Sequence, residues 1–283
     1  MIRLPEPWPA NPWVTRFRTV RSSDPTHLAP GLRFLTIQSP ALAGRGDVAV
    51  HLTPHVDVPV DVPVVIMLHG VYGSFWNWPL AGGAHLTLDR LVHAGRMQPM
   101  VLVTPSDGLR GEGTAYLPHP DADYEAWIMD DVVDAVTEFI APVTTDSPLL
   151  LGGNSMGAFG AARLGTRHSS RVAGIAMHSA ITHLDQLAQF TVGDIGTDAG
   201  IDGADRDLVR HFAATGDATP PVFIDCGRDD FLAKANDELH RTLEHLGIRH
   251  QYEIFDGAHD WDAWSTRIQH SLLFFESVLR QSQ

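Results

Sequence analysis

The apolar run Leu149-Leu150-Leu151 leads through Gly153-Asn154-Ser155-Met156-Gly157 into a segment of small residues, Ala158 to Leu164. That order predicts strand, tight turn and helix. Such a turn constrains the chain strongly: its glycines let strand and helix approach closely, and its strained backbone lifts the serine hydroxyl clear of the sheet. A serine so placed suits a nucleophile. The pentapeptide recurs by chance in glycine-rich chains, so the surrounding pattern has to carry the reading.

Continuous apolar runs recur at Val64 to Leu68, Met100 to Val103, Leu149 to Leu151, Val172 to Met177 and Val222 to Ile224. Runs of this length predict strands buried on both faces. Helical segments lie between most of them, the best being Tyr124 to Ile140. There Ile128, Val132, Val136 and Ile140 repeat every four residues, opposite Asp130, Asp134 and Glu138. Arg33 to Gln38 and Asp47 to Thr53 instead alternate apolar with polar residues, as an antiparallel pair at a sheet edge would. The fold class expected is therefore α/β, with a mainly parallel central sheet and helices on both faces. Ligands in such sheets bind at the carboxyl ends of the strands.

At 283 residues, with no repeat and no linker, the chain reads as one domain over residues 31–283. Residues 1–30 read as an irregular, proline-punctuated arm packed through Trp8 and Trp13. The stretch from Ala180 to Pro221 reads as a cap-like excursion beside the site. Its aspartates at 194, 198, 202, 205 and 207 match no calcium-loop register, so a solvated cap is expected there. A formal charge of -14 excludes nucleic acid and anionic membrane surfaces as natural partners. The single cysteine, Cys226, rules out an internal disulfide and reads as a buried strand thiol. No apolar run is long enough for a signal peptide or a span, so a soluble, cytoplasmic protein is expected. No cofactor and no metal are called for, and the oligomeric state is open.

A serine nucleophile needs a base, an acid to orient that base, and two donors for the oxyanion. His259 follows the apolar strand Tyr252 to Phe255 and precedes the last helix, a place that none of the other fifteen of the sixteen histidines occupies. The acid follows the preceding strand, in Cys226-Gly227-Arg228-Asp229-Asp230-Phe231. Asp230 is favoured over Asp229 because in related folds the acid stands at that distance beyond the strand-end glycine. The oxyanion donors are expected to be the backbone N–H groups of Met156 and Val71, with Tyr72 next in line. His69, before the glycine of its loop, is expected to order that loop rather than act as a base. Trp78 and Trp264 should pack beneath the site, while Tyr72, Phe75 and Trp261 should line a pocket for a small apolar or aromatic substrate.

Together the segments Leu68 to Trp78, Gly153 to Gly157, Cys226 to Leu232 and Gly257 to Trp264 resemble the esterase D family of α/β-hydrolases. That family includes S-formylglutathione hydrolases, short-chain carboxylesterases, feruloyl esterases and mycolyltransferases. The likeness runs from about Arg33 to the C-terminus. It implies a serine esterase acting on a small-molecule ester, with Ser155, Asp230 and His259 as triad and Val71 and Met156 as oxyanion hole. Transfer of the acyl group to an alcohol, or a catalytically silent binding module of the same fold, are the alternatives.

Overall fold

The computed structural model describes residues 20–201 and 203–281. Residues 1–19 of the expected arm, Trp8 and Trp13 among them, lie outside the described residues. Among the described residues nine strands form one sheet: β1 (Val20–Ser22), β2 (Leu32–Ser39), β3 (Gly44–Leu52), β4 (Val64–Leu68), β5 (Val101–Pro105), β6 (Leu149–Asn154), β7 (Val172–His178), β8 (Val222–Gly227) and β9 (His250–Phe255). Their order across the sheet is β1-β2-β3-β5-β4-β6-β7-β8-β9. From β5 to β9 neighbours run parallel, and from β1 to β5 they run antiparallel. The alternating pair expected at an edge is β2 with β3, and β1 extends that edge by pairing Val20 with Ile37. Residues 20–22 are thus a strand, where the sequence reads as irregular.

The helices are α1 (Ala84–His93), α2 (Tyr124–Ala126), α3 (Val133–Phe139), α4 (Met156–Arg167), α5 (Ile195–Asp198), α6 (Leu208–Thr215), α7 (Ala233–His245) and α8 (Trp261–Gln281). A π-helical stretch, Trp127–Val132, joins α2 to α3 and completes the long amphipathic helix expected there. β4 shows how the sheet makes two cores. Val64, Ile66 and Leu68 face one layer with Trp127, Val132 and Phe159, while Val65 and Met67 face the other with Leu88, Trp264 and Leu272. Period-two alternation sends successive fully buried side chains to opposite faces, and a strand covered on both sides can therefore be apolar throughout.

Residues 180–221 are not all cap. Residues 208–215 form α6, whose Leu208 and Phe212 are buried in the core layer that also holds α4. It fills part of the β7-to-β8 crossover. The aspartates before it have local work: Asp194 accepts the N–H groups of Gly196 and Thr197, and Asp207 accepts that of Val209. Carboxylates at these N-caps satisfy otherwise orphaned donors, which accounts for part of the acidic pattern. Among the described residues, no helix is long and apolar enough to cross a membrane.

Candidate active site

β6 delivers Asn154 to the sheet's carboxyl end, and the chain turns into α4 at Ser155 with φ 55° and ψ −119°. A non-glycine residue rarely adopts this conformation, and it persists only where its surroundings hold it. They do so here from both sides: the Ser155 N–H donates to the His178 carbonyl at 2.9 Å, while the Ser155 carbonyl accepts from Phe159 and Ile181, each at 3.2 Å. Gly157 is required by close approach, since a Cβ there would lie 2.3 Å from the Leu68 carbonyl oxygen. Gly227 has the same role under the facing loop, where a Cβ would meet the Gly257 oxygen at 2.2 Å.

Three side chains from separate turns converge. His259 Nε2 is 3.0 Å from Ser155 Oγ, and His259 Nδ1 is 2.9 Å from Asp230 Oδ2 and 3.1 Å from Oδ1. Ser155 and Asp230 are buried, at 2% and 5% exposure. Burial alone would raise the Asp230 carboxyl, but the His259 hydrogen bond, the Leu232 N–H at 2.8 Å and the Ser179 hydroxyl outweigh it and hold it below the ordinary carboxylate range. Asp229 is exposed and contributes its backbone N–H to the Gly257 carbonyl. One of the two neighbouring carboxylates therefore faces the imidazole and the other faces solvent.

Met156 follows Ser155 directly, and Val71 follows Gly70, where a Cβ would lie 3.2 Å from the Ser155 Cβ. Met156 N–H opens α4, where the helix dipole favours negative charge. Val71 lies in the loop after β4, and among the described residues neither its N–H nor that of Met156 has an acceptor. Tyr72 is removed from that role, because its N–H donates to the Glu112 carbonyl at 2.9 Å. The loop itself is ordered by His69. Its Nδ1 lies 2.8 Å from the Gly70 carbonyl and its Nε2 accepts the Asp107 N–H at 3.0 Å, a pairing that fits a neutral ring protonated at Nδ1.

The aromatic residues divide differently from the pattern expected. Trp78 is buried and donates to the Leu68 carbonyl, and Trp264 is buried with its ring nearly perpendicular to that of His259, centroids 4.9 Å apart. Trp261 packs at right angles on both tryptophans, at 5.2 Å from each, and so joins that stack beneath the site. Phe75 packs against Phe34 of the edge hairpin, 5.1 Å between centroids. Tyr72 is 66% exposed, and its hydroxyl donates to the Phe190 carbonyl in the stretch between β7 and β8. The wall over the imidazole comes instead from Phe231, 4.4 Å from the His259 ring, and Phe190, 5.4 Å from Phe231. Phe231 stands within the Cys226-to-Leu232 segment, next to Asp230. Its exposed position is a tertiary matter, and only its adjacency to the acid could have marked it.

The order of the sheet, the strained turn at Ser155 and the residues gathered at the strand ends define an α/β-hydrolase of the serine type. Residues 39–275 match the Esterase family, and the chain belongs to it. It is a carboxylic ester hydrolase of the esterase D-like group. An acetyl esterase from Caldicellulosiruptor saccharolyticus is 26% identical over 238 residues, covering 77% of this chain and 85% of that protein. Among solved structures, a ferulic acid esterase superposes with TM-score 0.74 at 23% identity, covering 92% of this chain and 98% of the other. An S-formylglutathione hydrolase from Agrobacterium tumefaciens gives TM-score 0.72 at 18% identity, covering 89% and 97%. These superpositions bear on the fold alone.

Proposed function

We propose that Ser155 attacks the ester carbonyl to form an acyl-enzyme, which water then hydrolyses. His259 takes the Ser155 proton through Nε2 and passes it to the departing alkoxide. Asp230 accepts the Nδ1 proton's hydrogen bond and so fixes the tautomer. The N–H groups of Val71 and Met156 receive the oxyanion. The observation that carries this reading is the unbroken chain from Ser155 Oγ to His259 to Asp230, at 3.0 and 2.9 Å.

The substrate in this reading is an ester of small apolar or aromatic groups, free in solution. Phe231, against the His259 ring, and Phe190, against Phe231 and bonded through its carbonyl to the Tyr72 hydroxyl, support it. The net charge of -14 disfavours polyanionic substrates. Likeness to an acetyl esterase supports a short acyl group. A series of 4-nitrophenyl esters tests the proposal: kcat/KM should decline from acetate and butyrate to palmitate. A preference for palmitate would overturn the substrate class. A fluorophosphonate adduct on any peptide other than the one carrying Ser155 would overturn the nucleophile.

A further inference from the structure

The imidazole of His259 has two aromatic neighbours of opposite exposure. Trp264 is buried, whereas Phe231, 4.4 Å from the imidazole between centroids, keeps 53% of its surface exposed. A half-exposed phenyl ring against the proposed base offers an apolar face to a ligand. Phe190 extends that face, 5.4 Å from Phe231. It follows the short helical turn Leu184–Gln189, whose Leu184 and Leu187 are buried in the core, and its N–H donates to the Leu187 carbonyl at 2.8 Å. Two further ties hold this segment: the Tyr72 hydroxyl donates to the Phe190 carbonyl, and Val192 N–H donates to Glu112 Oε2 at 3.3 Å. The Glu112 carbonyl accepts the Tyr72 N–H at 2.9 Å, so both ties share one root. A line of contacts thus runs from Val71 through Tyr72, Phe190 and Phe231 to His259.

The stereochemistry of acyl transfer assigns a side of the site to each part of an ester. The tetrahedral carbon bears Ser155 Oγ, the oxyanion, the departing oxygen and the acyl substituent. The oxyanion is directed to the N–H groups of Val71 and Met156. The departing oxygen has to accept the proton that His259 Nε2 took from Ser155, so it lies within a hydrogen bond of the imidazole as its bond to carbon breaks. The group carried on that oxygen therefore lies beside the exposed ring that packs on His259, and that ring is Phe231. The acyl substituent takes the remaining direction.

Resting on the triad proposed above, we infer that Phe231 and Phe190 form the subsite for the departing alcohol, that this alcohol carries an aromatic ring, and that Tyr72 fixes the far wall by tying Phe190. The two phenyl rings are inclined at 45° to one another, so a third ring packs on both in the tilted or offset arrangements that aromatic groups favour. The tie from Tyr72 limits the depth of that subsite to about one ring, because Phe190 cannot withdraw while its carbonyl is held. An acceptor alcohol attacking the acyl-enzyme enters along the path by which the first alcohol left, so the same rings select it. Acyl-group preference is set elsewhere, on the side away from the imidazole.

The test uses the full chain with benzyl acetate and ethyl acetate, whose alkoxides are of similar basicity, and the variants Phe231→Ala, Phe190→Ala, Tyr72→Phe and Ser155→Ala. The wild type should prefer the benzyl ester in kcat/KM, and each alanine variant should lower that preference roughly threefold to tenfold. The preference for benzyl acetate over benzyl butyrate should not move. With 4-nitrophenyl acetate as donor, acyl transfer to benzyl alcohol relative to ethanol should fall in the same two variants. Tyr72→Phe keeps its ring and releases the tie, so it should raise kcat/KM on 1-naphthylmethyl acetate relative to benzyl acetate by severalfold. Phe190→Ala leaves the neighbour of His259 in place and carries the test if Phe231→Ala disturbs the base. Equal losses on benzyl and ethyl esters in Phe190→Ala would overturn the subsite. A moved acyl preference with an unmoved alcohol preference would also overturn it, by placing the rings on the acyl side. An unchanged naphthylmethyl-to-benzyl ratio in Tyr72→Phe would overturn the tie. Retained turnover in Ser155→Ala would instead remove the triad on which the subsite rests.

Discussion

Among the described residues two Ser–His–Asp chains stand out, and interatomic distance barely separates them. Ser155, His259 and Asp230 are linked at 3.0 and 2.9 Å. Ser271, His178 and Asp225 are linked at 3.0 and 2.7 Å. The second set is entirely enclosed: His178, Asp225 and Ser271 have no exposed surface. Asp225 gives its other oxygen to Arg267 Nε at 2.9 Å, and Arg267 reaches on to Glu253. Ser271 sits within α8, its hydroxyl also bonded to the Ile268 carbonyl. It has no strained turn and no helix N-terminus beside it. The comparison teaches that triad distances describe a hydrogen-bond network, whereas catalysis needs an accessible nucleophile, idle N–H donors and space for a carbonyl. The enclosed chain has a structural task, because the carbonyl of His178 receives the Ser155 N–H and the carbonyl of Asp225 receives that of Ser179.

The largest contrast should come from the two serines. Ser155→Ala is expected to lose at least about a thousandfold in kcat on 4-nitrophenyl acetate, leaving what binding and the oxyanion donors supply. Ser271→Ala should retain kcat and show its effect as a lower Tm. Comparable catalytic losses in the two variants, both folded, would break the comparison.

The carboxylates sharpen it next. Asp230→Asn should lower kcat by roughly a thousandfold or more, because an amide cannot hold the imidazole in the same tautomer. Asp229→Asn should alter kcat little, since that side chain faces solvent. A larger loss in Asp229→Asn would reverse the assignment.

For the enclosed chain the readout is stability. Arg267→Met leaves Asp225 buried without its cation and should destabilise the fold by about 3–5 kcal/mol in urea titration. If the variant unfolds at the wild-type midpoint, the network contributes nothing to holding the β7 and β8 ends.

A smaller effect is expected at Glu125, which pairs with Arg163 and Arg167 in the last turns of α4. Burial opposes its charge, but hydrogen bonds from His168 and Arg163 and the nearby Arg167 lower its carboxyl from 4.5 to about 2. A carboxyl depressed in the folded state contributes stability that is complete above its ordinary value and is lost as pH falls toward the folded one. Glu125→Gln should therefore be less stable than wild type at neutral pH, and the gap should close between about pH 4.5 and 2. A gap independent of pH would show that the side chain acts through packing alone.

The residues that sequence reads well and those it reads poorly differ in how far their causes lie along the chain. Strands β4 to β8 are legible because being covered on both faces leaves a continuous apolar run, and the helix over 124–139 because its apolar residues share one face. The order and chemistry of Ser155, Asp230 and His259 are legible for a similar reason, since each stands just after a recognisable strand. α6 is harder to see, its eight residues hidden in a long acidic excursion, and β1 harder still, three residues that become a strand only by pairing with β2. The contacts of the aromatic residues are remote in the chain for the same reason. Hydrophobicity says that Phe75 and Trp261 must be covered, but not that Phe34 covers one and Trp78 and Trp264 the other.

The sequence by itself determined the alternation that makes an α/β sheet, the turn at Ser155 and the candidates for acid and base, since these follow from local periodicity and from glycines adjacent to the turn. Only the tertiary structure decided that Asp230 faces inward, that Tyr72 N–H is taken by the Glu112 carbonyl 40 residues on, and that Phe231 covers His259. It alone decided that Ser179 meets Trp264 from 85 positions away. Directed hydrogen bonds and ring contacts depend on where a side chain points after the sheet has closed, and that direction is set by partners remote in the chain.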